Sequence, residues 1–223
     1  MLLSAWGRRH FIAAVLAGCG AVPGWAAATP TVLVVGDSLS AEYGLKRGTG
    51  WVPLLEKRLA AERLPAKVVN ASISGDTTSG GRSRLPALLS QHRPDVVVIE
   101  LGSNDALRGL PLDMTQANLD HMAGAARQAG ARVLLVGMQM PPNYGADYAA
   151  RFAGLYQKVA REHQAALVPF LLKGLADAAD SPRWFQADRL HPNEQAQPRM
   201  LDNVWPELKK LLAPPARGKA PRP

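Results

Sequence analysis

Cysteine is almost absent: the 223 residues contain one, Cys19. A lone thiol closes no intramolecular disulfide and builds no cysteine-based zinc site, so stability has to come from burial. Long apolar runs are missing too. The apolar segment 11–18 falls short of the roughly 20 residues a membrane-spanning helix requires, which excludes multipass membrane classes. Acidic residues are missing from both ends. The formal charge of +8 invites a nucleic-acid reading, but Arg8 and Arg9 fall in the first 28 residues and Arg217, Lys219 and Arg222 in the last ten, where no acid occurs. Setting those five aside from 26 leaves 21 Lys and Arg against 18 Asp and Glu, a body of only +3. No basic groove is indicated and no nucleic-acid partner is expected.

What remains is ordinary globular usage, 47% hydrophobic and 20% charged. That suffices for one domain with a sizeable core and excludes disordered and collagen-like classes. Three segments are expected: 1–28 an export signal, 29–213 the folded domain, and 214–223 a disordered basic tail. The signal reading rests on Arg8-Arg9-His10, then Phe11 to Gly18, then the small-residue run Ala26-Ala27-Ala28: a positive flank, a short apolar core and a cleavable exit. Export follows. Leu16-Ala17-Gly18-Cys19 resembles a bacterial lipoprotein box, so Cys19 is a candidate lipid anchor, with cleavage after Ala26 to Ala28 favoured. The tail, rich in Pro, Arg and Lys, has no apolar area to bury.

Within the domain, short β-branched runs alternate with helical patterns. Strands are predicted at 31–35, 67–71, 95–101, 132–137 and 166–169, and helices at 51–62, 78–90, 115–129, 148–163 and 194–212. Strands joined by helices make a parallel sheet covered on both faces, because the available crossover is right-handed. The predicted fold class is therefore α/β, a three-layer α/β/α arrangement on a five-stranded parallel sheet. Such sheets carry their chemistry at the carboxyl ends of the strands.

The first strand end, Gly36-Asp37-Ser38-Leu39-Ser40, lacks the glycine pattern of a dinucleotide loop and the Gly-x-Ser-x-Gly of an α/β-hydrolase elbow. A capping role for Ser38 stays open at this point. The second strand runs into a turn at Gly75, whose N–H is accessible to an anion. The third ends in Gly102-Ser103-Asn104-Asp105, which is either turn chemistry or a way to aim an amide into a crevice. Before the last helix, Asp188 and His191 stand three apart, with Pro192 keeping His191 out of helical geometry. A carboxylate so placed orients an imidazole and leaves its other nitrogen as a base, unless it merely caps the bend. His92, His121 and His163 lie near or within predicted helices and are expected to be solvated. A hydroxyl, a glycine amide, a carboxamide and an Asp/His pair at one sheet edge are the parts that serine attack on an acyl carbon needs.

At these residues the chain also resembles the SGNH, or GDSL, hydrolase family, in particular its bacterial periplasmic thioesterase I, arylesterase and lysophospholipase group. Gly36-Asp37-Ser38-Leu39-Ser40, the Gly75 turn, Gly102-Ser103-Asn104-Asp105 and Asp188-Arg189-Leu190-His191-Pro192-Asn193 resemble its four blocks in order. The resemblance implies a flavodoxin-like sheet, Ser38 as nucleophile, His191 as general base and Asp188 as its orienter. It implies an oxyanion hole from the backbone N–H groups of Ser38 and Gly75 and the side chain of Asn104. Ser103 departs from the glycine usual in the third block, and crowding of the Asn104 turn is expected there. The implied activity is hydrolysis of acyl esters and thioesters through an acyl-enzyme, with no metal and no cofactor. The destination of export that the resemblance implies is the periplasm. The expected partner is a small ester or thioester, and the chain is expected to be a monomer. The segment 137–148 is long enough to wall an acyl pocket, with Met138, Met140, Pro141 and Tyr144 as candidate substrate-binding residues. Trp51, Trp184 and Trp205 are expected to pack, with Trp184 close enough to the Asp188 turn to reach substrate. An O-acetyl esterase of the same fold and a non-catalytic glycan- or lipid-binding module are the alternatives.

Overall fold

Strand β1 (Thr31–Gly36) reads Thr-Val-Leu-Val-Val-Gly, and all but its first residue are buried. An unbroken apolar strand has no face suited to water, so it belongs at the centre of a sheet covered on both sides. The computed structural model describes residues 29–213 and places it there. The expected export signal with Cys19 and the expected tail lie outside the described residues. The other strands are β2 (Lys67–Asn70), β3 (Val96–Glu100), β4 (Arg132–Val136) and β5 (Ala166–Val168), all parallel, in the order β2-β1-β3-β4-β5.

Helices α1 (Trp51–Ala61) and α6 (Gln197–Leu212) pack together on one side. Helices α2 (Thr78–His92), α4 (Leu112–Gln128) and α5 (Ala146–Glu162) pack in sequence on the other. The fold is the expected three-layer α/β/α arrangement. Val32 to Val35, Val96 to Ile99 and Leu134 to Val136 are without solvent exposure. Each such side chain contributes roughly 1.5–3 kcal/mol by leaving water, so the three central strands anchor the edge on which the site is built.

That edge has a topological switch point. From β1 the chain passes to β2 on one side and then to β3 on the other, which opens a crevice between the carboxyl ends of β1 and β3. The segment after β3, read from sequence as a turn, forms the short helix α3 (Ser103–Leu107). Its entry requires Gly102, at φ +122°, where a Cβ would fall 2.4 Å from the Tyr156 hydroxyl. Asp105 on α3 is buried and accepts from the Thr78 N–H at 2.9 Å and from the Thr78 hydroxyl, which ties α3 to the first turn of α2. The Gly75 turn and Asn104 are thereby held in one frame. The final helix also differs in detail: a 3-10 turn at Glu194–Ala196 precedes α6.

Candidate active site

Ser38 follows β1 directly, and its hydroxyl does not cap the turn. Asp37 caps it instead, its Oδ1 accepting the Leu39 N–H at 3.0 Å. The Ser38 Oγ lies 2.9 Å from Nε2 of His191. The other ring nitrogen, Nδ1, lies 2.7 Å from Asp188 Oδ2. Because an ionised carboxylate only accepts, Nδ1 carries the proton and Nε2 is left to accept from the Ser38 hydroxyl.

The turn that presents His191 is built by the same carboxylate. Asp188 Oδ1 accepts the N–H groups of Leu190 at 2.9 Å and His191 at 3.0 Å, while Arg189 takes a left-handed backbone at φ +56°. Capping and ring orientation, which compete as readings of the sequence, are performed by the two oxygens of one residue. These backbone donors, foremost that of His191, hold the Asp188 carboxyl down at about 2. An isolated bridge between Phe185 and Pro192 closes the base of the loop, and Gln186 donates to the carbonyls of Tyr43 and Pro192.

The remaining expected residues face the same space. Gly75 sits at φ +77°, and Arg108, at the C-terminal end of α3, donates to its carbonyl at 2.8 Å. Neither the Ser38 N–H nor the Gly75 N–H donates to a protein acceptor among the described residues. Asn104 Nδ2 donates to Asp37 Oδ2 at 3.0 Å and to the Asp76 carbonyl at 2.9 Å. The expected crowding by Ser103 does not break these contacts; the Ser103 hydroxyl is buried with no hydrogen-bond partner among the described residues, and the residue lines the cavity.

Beneath the nucleophile lie two carboxyls that the sequence reading passed over. Asp37 and Glu100 are buried, and Glu100 Oε2 accepts from the Ser40 hydroxyl at 2.7 Å, which in turn accepts from the Trp51 indole at 3.2 Å. Burial is the main reason that the Asp37 carboxyl is pushed up to about 6, the Leu39 N–H pulling the other way. Burial, reinforced by the charge of Asp37, raises Glu100 well above the usual carboxylate range.

A cavity of about 660 Å³ opens in front of Ser38 and His191. Met138, Met140, Pro141 and Tyr144 line it, as do Phe170, Leu172 and Phe185, which were not among the expected substrate-binding residues. Tyr43 also lines it, and its ring packs on the His191 imidazole with centroids 4.4 Å apart. Nothing in the irregular stretch after Ser40 announced that contact except its nearness to the first motif. Trp184 is not among the cavity residues; its ring lies under the Arg183 guanidinium instead, 4.3 Å away. His163 is not simply solvated, since its Nε2 lies 2.7 Å from Asp120 Oδ1. No cluster of His, Cys, Asp or Glu among the described residues has the form of a metal site.

A doubly wound parallel sheet with a serine, an imidazole and a carboxylate in hydrogen-bonded series at its switch point defines a class of α/β proteins built around an activated hydroxyl. The pattern of the GDSL-like lipase/acylhydrolase family matches residues 34–198, and the chain belongs to that family. It is 55% identical over 186 residues to esterase TesA of Pseudomonas aeruginosa, covering 83% of this chain and 91% of that protein. It is 41% identical over 187 residues to thioesterase 1/protease 1/lysophospholipase L1 of Escherichia coli K12, covering 84% and 87%. The crystal structure of the psychrotrophic esterase EstA from Pseudoalteromonas sp., inhibited by monoethylphosphonate, superposes with a TM-score of 0.76 at 41% identity, covering 82% of this chain and 98% of that one.

Proposed function

We propose that the chain is a serine esterase that hydrolyses acyl esters and thioesters through an acyl-enzyme. The observation that carries this is the unbroken series from Ser38 to His191 to Asp188, opening onto an apolar cavity beside two backbone N–H groups with no protein acceptor among the described residues. In this reading Ser38 Oγ attacks the carbonyl carbon while its proton passes to His191 Nε2. The imidazolium is held by Asp188, and then returns that proton to the leaving alcohol or thiol. The oxyanion is met by the N–H groups of Ser38 and Gly75 and by Asn104, which shares one of the hydrogens it now gives to Asp37 and Asp76. Water, deprotonated by His191, releases the acid and restores Ser38. No metal or cofactor enters these steps.

The size and apolar walls of the cavity support an acyl chain longer than acetyl, which favours this reading over a polysaccharide O-acetyl esterase. The esterase and thioesterase names of the two relatives point the same way. Export to the periplasm belongs to the same proposal, as does a monomeric state. No helix among the described residues is long and apolar enough to cross a membrane. Fluorophosphonate labelling with peptide mapping tests the chemistry. The expected result is one adduct, on Ser38, lost in Ser38→Ala together with hydrolysis of p-nitrophenyl butyrate. A folded Ser38→Ala protein with wild-type turnover overturns it.

A further inference from the structure

Large apolar side chains are exposed at few places among the described residues, and those places are not scattered. Tyr43, Leu107, Tyr144 and Leu190 are each 39–50% exposed, and all four line the mouth of the cavity. Ile73, 53% exposed, lies two residues before Gly75 at the same sheet edge. Met114, on α4 beside Asp113, is left outside this group. Single exposed apolar residues are common, but several confined to one rim mark a surface that meets something apolar.

The charges at the rim say what that something is. Leu107 is followed by Arg108, and Leu190 is preceded by Arg189, so each side of the mouth offers a leucine next to an exposed guanidinium. Neither arginine has a carboxylate within salt-bridge distance among the described residues; Arg108 donates only to the Gly75 carbonyl. Of the acids nearby, Asp188 is engaged with His191, Asp76 with Arg84 and Asp180 with Arg183, while Glu42, beside Tyr43, accepts the N–H groups of Gly48 and Gly50. A ring of apolar side chains with uncompensated guanidinium groups at its border matches a phospholipid layer, whose acyl region takes the former and whose phosphates take the latter.

We propose that the rim formed by Tyr43, Ile73, Leu107, Tyr144 and Leu190, with Arg108 and Arg189, docks the protein reversibly onto an anionic phospholipid surface. An ester-bearing lipid there would enter the cavity acyl chain first. The docking rests on the esterase reading only for its purpose; binding and hydrolysis are separate measurements.

The experiment uses the full chain carrying Ser38→Ala, so that no lipid is consumed, and vesicles of phosphatidylcholine with and without phosphatidylglycerol. Co-sedimentation is expected with the anionic vesicles, falling by at least about tenfold when Leu107→Ser, Leu190→Ser, Arg108→Gln and Arg189→Gln are combined. Lys67→Gln with Arg93→Gln, at the opposite sheet edge, removes equal charge and is expected to leave partitioning unchanged, as any contribution of the basic tail would be common to all proteins. A thermal melt establishes that the fourfold variant is folded. Equal loss in both variants would mean general charge attraction and overturn the proposal, as would no binding at all or full binding by the folded rim variant. Self-association lost with the rim residues, seen by sedimentation velocity without vesicles, would assign the surface to a second copy and overturn it too. Hydrolysis of p-nitrophenyl butyrate by the chain with Ser38 intact decides the esterase reading independently.

Discussion

The hydroxyl of Ser38 and Nε2 of His191 are 2.9 Å apart although 153 positions separate them in the chain. Their meeting depends on Asp188, because that residue both shapes the turn carrying His191 and accepts the hydrogen bond of its ring N–H. An ester hydrolase built on this contact is sensitive to which nitrogen of His191 is protonated.

Asp188→Asn tests that sensitivity. The Oδ1 position accepts two backbone N–H groups, so an asparagine must place its carbonyl there and turn its NH₂ toward His191 Nδ1. The ring then carries its proton on Nε2 and meets Ser38 as a donor. Turnover is expected to fall on the order of 10,000-fold, and to be no higher than in Asp188→Ala, where the ring keeps its choice of tautomer. The carboxyl of Asp188 is held low, so the stability its charge contributes is present above its ordinary value of 3.8 and lost as pH falls through about 2. The stability gap between wild type and Asp188→Asn should thus close as pH falls from 4 toward 2. Wild-type activity in Asp188→Asn would show that His191 is oriented by another group.

Asn104→Ala removes one of the three proposed oxyanion donors without touching the hydrogen-bonded series of Ser38, His191 and Asp188. A single donor is worth about 100 to 1,000-fold in turnover, so kcat should drop by that factor with little change in KM. Steady-state kinetics on p-nitrophenyl butyrate reads this directly. A drop confined to KM would place Asn104 in ground-state binding.

Tyr144 stands at the mouth, 41% exposed, beyond Met138 and Met140 on the same wall. Tyr144→Ala is expected to weaken hydrolysis of medium-chain esters by a few-fold to about tenfold, as befits one partly exposed aromatic contact, and to leave acetyl esters unaffected. A chain-length series on both proteins gives the comparison; an unchanged profile removes Tyr144 from the acyl wall.

The strand-helix alternation was readable because β1 and β3 carry unbroken apolar runs, Val32 to Val35 and Val96 to Ile99, and α5 and α6 show one-sided patterns. Strand order was not, since adjacency of β1 with β3 is a tertiary fact that no local run encodes. Asn104 could be singled out by residue type, yet the helix it rides on was hidden: Ser-Asn-Asp-Ala-Leu is turn-like in composition, and the contact of Asp105 with Thr78 that ties the helix to α2 is tertiary. Glu100 looked like one more residue of a strand expected to run to Leu101. Its role under Ser40, and that of Asp37 under Asn104, arise from burial, which overrides the expectation that acidic residues seek water.

Asp37→Asn examines that buried pair. The introduced amide can still accept the Leu39 N–H through its carbonyl, but its NH₂ would face the Asn104 NH₂, so the oxyanion donor loses its orienting acceptor. A fall in kcat comparable with that of Asn104→Ala is expected, with KM little changed. The stability effect has a definite pH slope. Burial raises the Asp37 carboxyl to about 6, so the unfolded chain ionises it first, near its ordinary value of 3.8. Its native-state advantage is complete below that value and is lost as pH rises through 6. The amide carries no such penalty, so the melting temperature of the variant relative to wild type should climb from pH 4 to pH 6 and level off by pH 8. A difference independent of pH over that range would mean that Asp37 does not titrate there, and that the cost of its burial is met by another group.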